Sequence, residues 1–425
     1  MLAFTFPGQG SQRQGMGRPW LDHPSWEVVD EASAVAGRDV ARLLLEADAD
    51  ELTLTANAQL ATYVMSLVVL DAIERVGIEP TACAGHSLGE YTALTASGAL
   101  GFEDGVRLVV ERSEAMHHAA EERPGTMAAV LGADDDAVEA ACQRAEGEVW
   151  VANYNAPGQV VIAGTAEAVI LAGTIAKELG ARRVMPFPVA GAFHTALMAP
   201  ARSRLRKALA DAPFVAPEIP VVANVDARVH PGPSEWPGLL SAQLCSPVRW
   251  CQSMATLGEL GTTQVVEVGP GGVLTGLARR TLPEAQALSV ASPDDLAVLV
   301  DTLSGSETWH AYAAEHQGEH LYTSERVVVS PAAGVFTPDP GLPAPAPGAV
   351  AVASSSVSPA SSVSPGSPES PGPVVVAVGA LLGRVGDNEV RTPFAGQVVG
   401  FMAHAGERVM AGQPLAWLRV STVGT

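Results

Sequence analysis

The stretch Gly85-His86-Ser87-Leu88-Gly89-Glu90 decides how this chain is read. Before it, Thr81-Ala82-Cys83-Ala84 is short, small and apolar, as a buried strand is; after it, Leu88 to Ser97 reads as a helix. Gly-X-Ser-X-Gly at a strand-to-helix junction is the pattern of a nucleophile elbow. A serine on so sharp a turn has strained backbone angles, and a Cβ on its neighbours crowds the turn. A helix that begins at the serine aims free N–H groups and a positive dipole end at charge developing there. The same small residues also suit a plain packed turn, so the rest of the chain has to decide.

Upstream, Met1-Leu2-Ala3-Phe4-Thr5-Phe6 alternates like a buried strand and has no basic leader, unlike a signal peptide. It delivers the Gly-rich loop Pro7-Gly8-Gln9-Gly10-Ser11-Gln12, which lacks the Lys-Ser/Thr ending of a phosphate-binding P-loop. Trp26 to Leu45 and Asn57 to Val76 have helical periodicity, and the second is apolar nearly all round, which predicts a buried helix. Downstream, Phe102 to Ala120 reads as a helix holding Arg107, Arg112, His117 and His118.

From Gly125 the texture changes. Strands at 126–131, 149–153, 159–164 and 182–189 alternate with helices at 134–146 and 166–179 in a β-α-β-β-α-β order. That order predicts a small ferredoxin-like subdomain, residues 124–190, inserted in the core. Gly191-Ala192-Phe193-His194 follows, then a helix at 201–210. Strands Val221-Val222-Ala223-Asn224 and Val265 to Gly271 come next, with helices at 273–280 and 296–303. The core is therefore expected at 1–123 and 191–303: an α/β fold with an α/β-hydrolase-like parallel sheet.

The chain has 425 residues, 47% hydrophobic and 17% charged, which suits a globular protein. A net charge of −21 argues against wholesale nucleic-acid binding. None of the four cysteines is in a CxxC pair, so neither a zinc or other metal site nor a disulfide framework is expected. The apolar run near Val374 to Leu382 is too short to span a bilayer, so no membrane partner is expected and the reading is cytoplasmic.

Residues 337–373 are dominated by proline, serine, alanine and glycine, which predicts a disordered insert. On either side lies a weak repeat: Ser330-Pro331-Ala332-Ala333-Gly334-Val335 resembles Thr392-Pro393-Phe394-Ala395-Gly396-Gln397. With the turn glycines that follow, 304–336 and 374–425 read as one small all-β unit.

The polar candidates are Ser87 on the elbow, Gln9 on the Gly-rich loop, Arg112 on a helix and His194 after the subdomain. A serine needs an adjacent base to act as a nucleophile. His194 is the best candidate, while His117 and His118 read as solvated.

At this point the residues resemble a family, the malonyl-CoA:acyl-carrier-protein transacylases. The resemblance covers about 1–303 and rests on Phe6 to Gln12, Gly85 to Glu90, Asn153-Tyr154-Asn155-Ala156-Pro157-Gly158-Gln159, Gly191 to His194 and Val268-Gly269-Pro270-Gly271. It implies a ping-pong reaction in which Ser87 attacks the thioester of malonyl-CoA and His194 moves the proton. A carrier-protein phosphopantetheine thiol then takes the malonyl group, for fatty-acid or polyketide synthesis. It implies an oxyanion hole from the Gln9 and Leu88 N–H groups and a main-chain carbonyl of Gln243 that orients His194. Arg112 would hold the malonyl carboxylate, and Phe193 would favour malonyl over methylmalonyl. The carrier partner is expected to be acidic and to dock on Arg202, Arg204, Arg206 and Lys207 or on Arg279-Arg280; a solvated helix face is the competing reading.

The C-terminal unit resembles a biotinyl/lipoyl-type barrel. The chain's only lysines are Lys177 and Lys207, so biotin or lipoate attachment there is not expected, no cofactor is implied, and its partner stays unknown. Two other function classes remain open: a serine hydrolase such as a thioesterase or patatin-like lipase, and a non-catalytic scaffold.

Overall fold

Strand β1, Leu2–Phe6, is the middle strand of a five-stranded parallel sheet. On one side it pairs with β2, Ala82–Gly85, and on the other with β8, Gln264–Val268. The edges are β7, Val221–Val222, beside β2, and β9, Gln286–Val290, beside β8. A parallel sheet of this kind is covered on both faces, and its strands accordingly read as small, continuous apolar runs. Phe4, Phe6, Cys83, Val265 and Val266 are all buried.

The computed structural model describes residues 1–187, 189, 191–304, 323–340, 342, 375–377, 379–386, 388–392, 396–401, 403, 405, 406, 408–410 and 414–421. The chain divides into two compact units, Met1–Ser306 and Glu307–Thr425.

Helices of the first unit run α1 Glu27–Ala36, α2 Val40–Leu45, α3 Ala49–Thr53, α4 Thr55–Arg75, α5 Gly89–Ala96 and α6 Phe102–Glu122. They continue α7 Asp135–Arg144, α8 Ala166–Glu178, α9 Ala199–Asp211, α10 Trp236–Gln243, α11 Trp250–Glu259, α12 Val273–Thr281 and α13 Pro293–Ser304. The single helix expected at 26–45 is two. Gly37 adopts φ 62° and ends α1, and the Asp39 side chain accepts the Arg42 N–H to start α2. Helix α4 is apolar and long enough to cross a membrane by length and composition, but 89% of that window is buried inside the protein.

Strands β3 Thr126–Leu131, β4 Val149–Ala156, β5 Gln159–Gly164 and β6 Arg183–Pro186 form an antiparallel sheet in the order β4-β5-β3-β6. Helices α7 and α8 bury Val138, Cys142, Val169 and Ala172 against Val160 and Ile162 of that sheet. The last strand stops at Pro186 rather than 189; residues 188 and 190 lie outside the described residues. Tyr154 N donates to Val248 O and Val248 N to Ala152 O, each at 2.9 Å, so β4 is tied directly to the core chain.

The second unit contains β10 Thr323–Val329, β11 Gly334–Pro338, β12 Val375–Val376, β13 Leu381–Val385, β14 Asn388–Arg391, β15 Gly396–Phe401, β16 Arg408–Val409 and β17 Pro414–Ser421. They form two four-stranded sheets, β10-β17-β15-β12 and β14-β13-β11-β16, around a core that includes Phe336, Leu382, Val390 and Leu418. Thr337 and Pro338 belong to β11, where they pair with Arg384 and Gly383. The expected insert therefore begins later than 337, and 343–373 lies outside the described residues.

Candidate active site

The elbow is built by close backbone approach. Gly85 pairs with Phe6 in the sheet, and His86 N donates to Phe6 O at 2.9 Å. A Cβ on Gly85 would stand 1.8 Å from the Gly89 carbonyl oxygen, and one on Gly89 would stand 2.0 Å from Phe6 O. Glycine is required at both positions. Ser87 itself has φ 54°, a conformation that L-residues avoid. The helix expected from Ser87 or Leu88 therefore starts at Gly89, with Ser87 and Leu88 forming the turn.

Asn224 holds that turn. Its Nδ2 donates to Gly85 O and its Oδ1 accepts Ser87 N–H, both at 2.7 Å. Strand β7 ends at Val222, short of the expected 224, and beyond it Ala223 N donates to Arg228 O and Asn224 N to Glu90 Oε1.

Ser87 Oγ lies 2.7 Å from His194 Nε2. His194 Nδ1 lies 2.8 Å from the main-chain carbonyl of Gln243, at the end of α10. A carbonyl only accepts, so Nδ1 carries the proton and Nε2 faces Ser87 as an acceptor. Burial, helped by the nearby Arg112 charge, pushes the His194 imidazole down to about 3.

Arg112 comes from the middle of α6 and is 1% exposed. Its Nη2 donates to Ser87 Oγ at 3.1 Å and to Gln243 Oε1 at 2.9 Å, and its Nη1 to Gln59 Oε1 at 2.5 Å. Tyr91 lies under the guanidinium, 5.4 Å from centroid to Cζ. No carboxylate pairs with Arg112 directly among the described residues. Gln243 Nε2 instead donates to Ser87 O at 2.8 Å and to Glu90 Oε2 at 2.6 Å. Burial raises the Glu90 carboxyl to about 7, and the N–H donors facing both its oxygens pull the other way.

These groups open on a cleft of about 600 Å³ between the core and the small subdomain. Gln9, Ser87, Arg112, Phe193 and His194 line it, with Val273 on α12 and Phe187 beyond β6 at its sides. The Gln9 side chain lies 3.5 Å from Gln59 Nε2. Leu88 is buried and stands at the N-terminus of α5. Its N–H and that of Gln9 donate to no protein group among the described hydrogen bonds. His86 turns away from Ser87 and bonds Asn155 at 2.9 Å. A second cavity of about 480 Å³ reaches His194 from the side of α7, but touches neither Ser87 nor Arg112.

Every expected polar residue thus meets in one place: Ser87, His194, Arg112, Gln9 and the Gln243 carbonyl. Gln59, Glu90 and Asn224 belong to it too and were missed from the sequence. Gln59 is one of several buried polar residues on α4, with Asn57, Thr62 and Ser66, so nothing marked it out in the sequence; Glu90 stood in the quoted hexapeptide itself.

The basic clusters separate. Arg204 is held in a two-carboxylate clamp, bonding Glu111 at 2.6 Å and Glu114 at 2.8 Å. Among the described residues Arg280 bonds two neutral groups, Gln159 Oε1 and Pro157 O, and Arg279 reaches Ala287 O. Both stand on α12, the helix that lines the cleft. His117 and His118 are exposed on α6 beside Glu121.

The acyl transferase domain family matches residues 3–302. A malonyl CoA-acyl carrier protein transacylase of Bacillus subtilis is 41% identical over 307 residues, covering 71% of this chain and 97% of its own length. Among solved structures, an acyl-carrier-protein S-malonyltransferase from Burkholderia pseudomallei is 43% identical with a TM-score of 0.69, covering 71% of this chain and 99% of its own. A malonyl-transacylase solved in complex with a type II polyketide acyl-carrier protein is 37% identical, with a TM-score of 0.69 and coverages of 71% and 99%.

Proposed function

The chain belongs to the acyl transferase domain family, and from that membership we propose that it moves a malonyl group from malonyl-CoA to the phosphopantetheine thiol of an acyl carrier protein. The observation that carries the reading is the buried Arg112 guanidinium, 3.1 Å from the Ser87 hydroxyl. An acyl group bonded to Ser87 extends toward a fixed cation, and a carboxylate is its natural partner.

In the first half-reaction Ser87 Oγ attacks the thioester carbon while its proton passes to His194 Nε2. The Gln9 and Leu88 N–H groups, which donate to no protein group among the described hydrogen bonds, serve the oxyanion. Collapse breaks the C–S bond, and His194 returns the proton to the CoA thiolate. The second half-reaction runs the same steps in reverse with the carrier thiol as nucleophile, so the dyad ends unchanged. Phe193, 6% exposed beside the histidine, limits space at the α-carbon and favours malonyl over methylmalonyl.

The carrier docks through Arg279 and Arg280, which pair with no carboxylate among the described residues. The small subdomain is read as ferredoxin-like, and the second unit as a biotinyl/lipoyl-type unit that carries no group. Lys177 and Lys207, the only lysines, both precede it.

Intact mass spectrometry after exposure to malonyl-CoA tests the reading. A malonyl adduct on the wild type and none on Ser87→Ala supports it. Steady CoA release without an adduct points to a hydrolase instead.

A further inference from the structure

Glu90 is fully buried and lies outside the cleft lining, yet it touches both halves of the dyad's support. Its Oε1 accepts Asn224 N–H at 2.7 Å and its Oε2 accepts Gln243 Nε2 at 2.6 Å. Asn224 is the residue that clamps the Ser87 turn. Gln243 is the residue whose main-chain carbonyl holds His194 and whose Oε1 receives Arg112. Asn224 and Gln243 come from separate segments, and Glu90 shares the elbow with Ser87. One carboxylate therefore joins the elbow to the two segments that brace it.

The chemistry of the pair fixes Gln243 as well. Arginine only donates and an ionised carboxylate only accepts, so the Gln243 amide has one satisfactory direction, Oε1 toward Arg112 and Nε2 toward Glu90. When Glu90 is ionised, its negative charge stands one amide away from Arg112 and offsets the buried cation without occupying it. A carboxylate directly on Arg112 would compete with the acyl group.

We infer that Glu90 is a positioning residue, which holds Ser87, His194 and Arg112 in common register by accepting from Asn224 and Gln243 at once. The inference deepens the acyl-transfer reading and rests on it only for the identity of the acyl donor.

The test uses the full chain with Glu90→Gln and Glu90→Asp. Glutamine keeps the shape but must turn an N–H toward one of the two donors. Aspartate keeps the charge but is too short to reach both, and it serves if the glutamine variant does not fold. Each variant is melted, then labelled with a fluorophosphonate, which forms an Oγ–P bond on Ser87, expels fluoride and passes the serine proton to His194. This probe carries no carboxylate and so reads the dyad apart from recognition of an acyl carboxylate by Arg112.

The expected result is a folded protein labelled about tenfold or more slowly, the effect of losing orientation. With malonyl-CoA, the single-turnover rate at saturation should fall while the half-saturating concentration stays within about threefold, since orientation and not binding is lost. Labelling of either folded variant at the wild-type rate overturns the inference, as does full saturating rate with only a raised half-saturation. Wild type that takes the phosphonate but no malonyl sinks the malonyl reading and leaves the Glu90 comparison intact.

Discussion

His194 Nδ1 stands 2.8 Å from the main-chain carbonyl of Gln243, so the imidazole is oriented by a peptide group and not by a carboxylate. The consequence is a dyad whose second member has, among the described residues, no anionic hydrogen-bond partner to stabilise an imidazolium. Catalysis then depends on His194 being neutral at rest. His194→Ala should slow malonyl-Ser87 formation by about 10²–10⁴, the usual contribution of a positioned base. Rapid-quench acylation with mass detection measures it; a loss under threefold would remove His194 from the mechanism.

Arg112→Ala should reverse acyl preference. A charge-assisted hydrogen bond contributes about 1.5–3 kcal/mol, so the malonyl-to-acetyl ratio of kcat/KM should fall by roughly ten- to a hundredfold. The ratio is the right quantity because it is taken within one variant. The substitution also strips Gln59 Oε1 and Gln243 Oε1 of their donor, which lowers stability for both substrates alike. An unchanged ratio would show that Arg112 does not meet the acyl carboxylate.

Charge reversal should distinguish the basic clusters. Arg280→Glu is expected to raise the carrier KM about fivefold, the ~1 kcal/mol of an exposed charge, while CoA-dependent acylation of Ser87 is kept. Arg204→Glu should leave the carrier KM alone and lower the melting temperature, because it sets a third carboxylate against Glu111 and Glu114. The opposite pattern would move the docking face to α9.

Gly85→Ala should be among the most disruptive single methyl groups in the chain. Its Cβ would lie 1.8 Å from the Gly89 carbonyl, and the obstacle is backbone, which cannot rotate aside. Overpacking of this kind costs about 3 kcal/mol or more. Urea unfolding reads the loss; a midpoint equal to wild type would mean the elbow relaxes freely.

Acid should act on His194 through the unfolded state. Burial depresses the folded imidazole from 6.5 to about 3. Between those values the unfolded chain binds the proton and the folded one does not, so this residue's contribution to stability falls as pH drops. Glu90, raised from 4.5 to about 7, acts in the opposite sense: the folded state binds its proton first, and its contribution rises as pH falls from 7 to 4.5. The two oppose each other, so the readout is a difference. From pH 7 to pH 4, His194→Ala should lose less stability than wild type in chemical denaturation; equal losses would contradict the depressed imidazole.

The sequence made the elbow legible because its determinants are local: the strand, two obligatory glycines and the serine occupy one short stretch. The β-α-β-β-α-β order from 126 to 186 was legible for the same reason, through periodicity and turn glycines. What was hidden depends on partners distant in sequence. Asn224 bonds Gly85 across 139 positions, and Glu90 meets Gln243 across 153. Arg204 carried a readable charge, but the glutamates that clamp it lie 90 and 93 positions earlier on another helix. Strand β9 and helix α11 lacked motif residues to mark them, and α10 was marked only at its last residue, Gln243.

The central place of β1 bears on how the chain must reach this state. Ala3 pairs with Ala82 on one edge and with Val265 on the other, separations of 82 − 3 = 79 and 265 − 3 = 262 residues. The first strand is therefore finished by nearly the last part of the first unit. During synthesis one edge of β1 stays open, apolar and able to pair with a neighbouring chain until the segment at 264–268 emerges. Such long-range closure is slow, and the waiting intermediate exposes the very surface that aggregates. Yield from the cell should accordingly respond to translation rate and chaperone supply more steeply than the stability of the finished fold suggests.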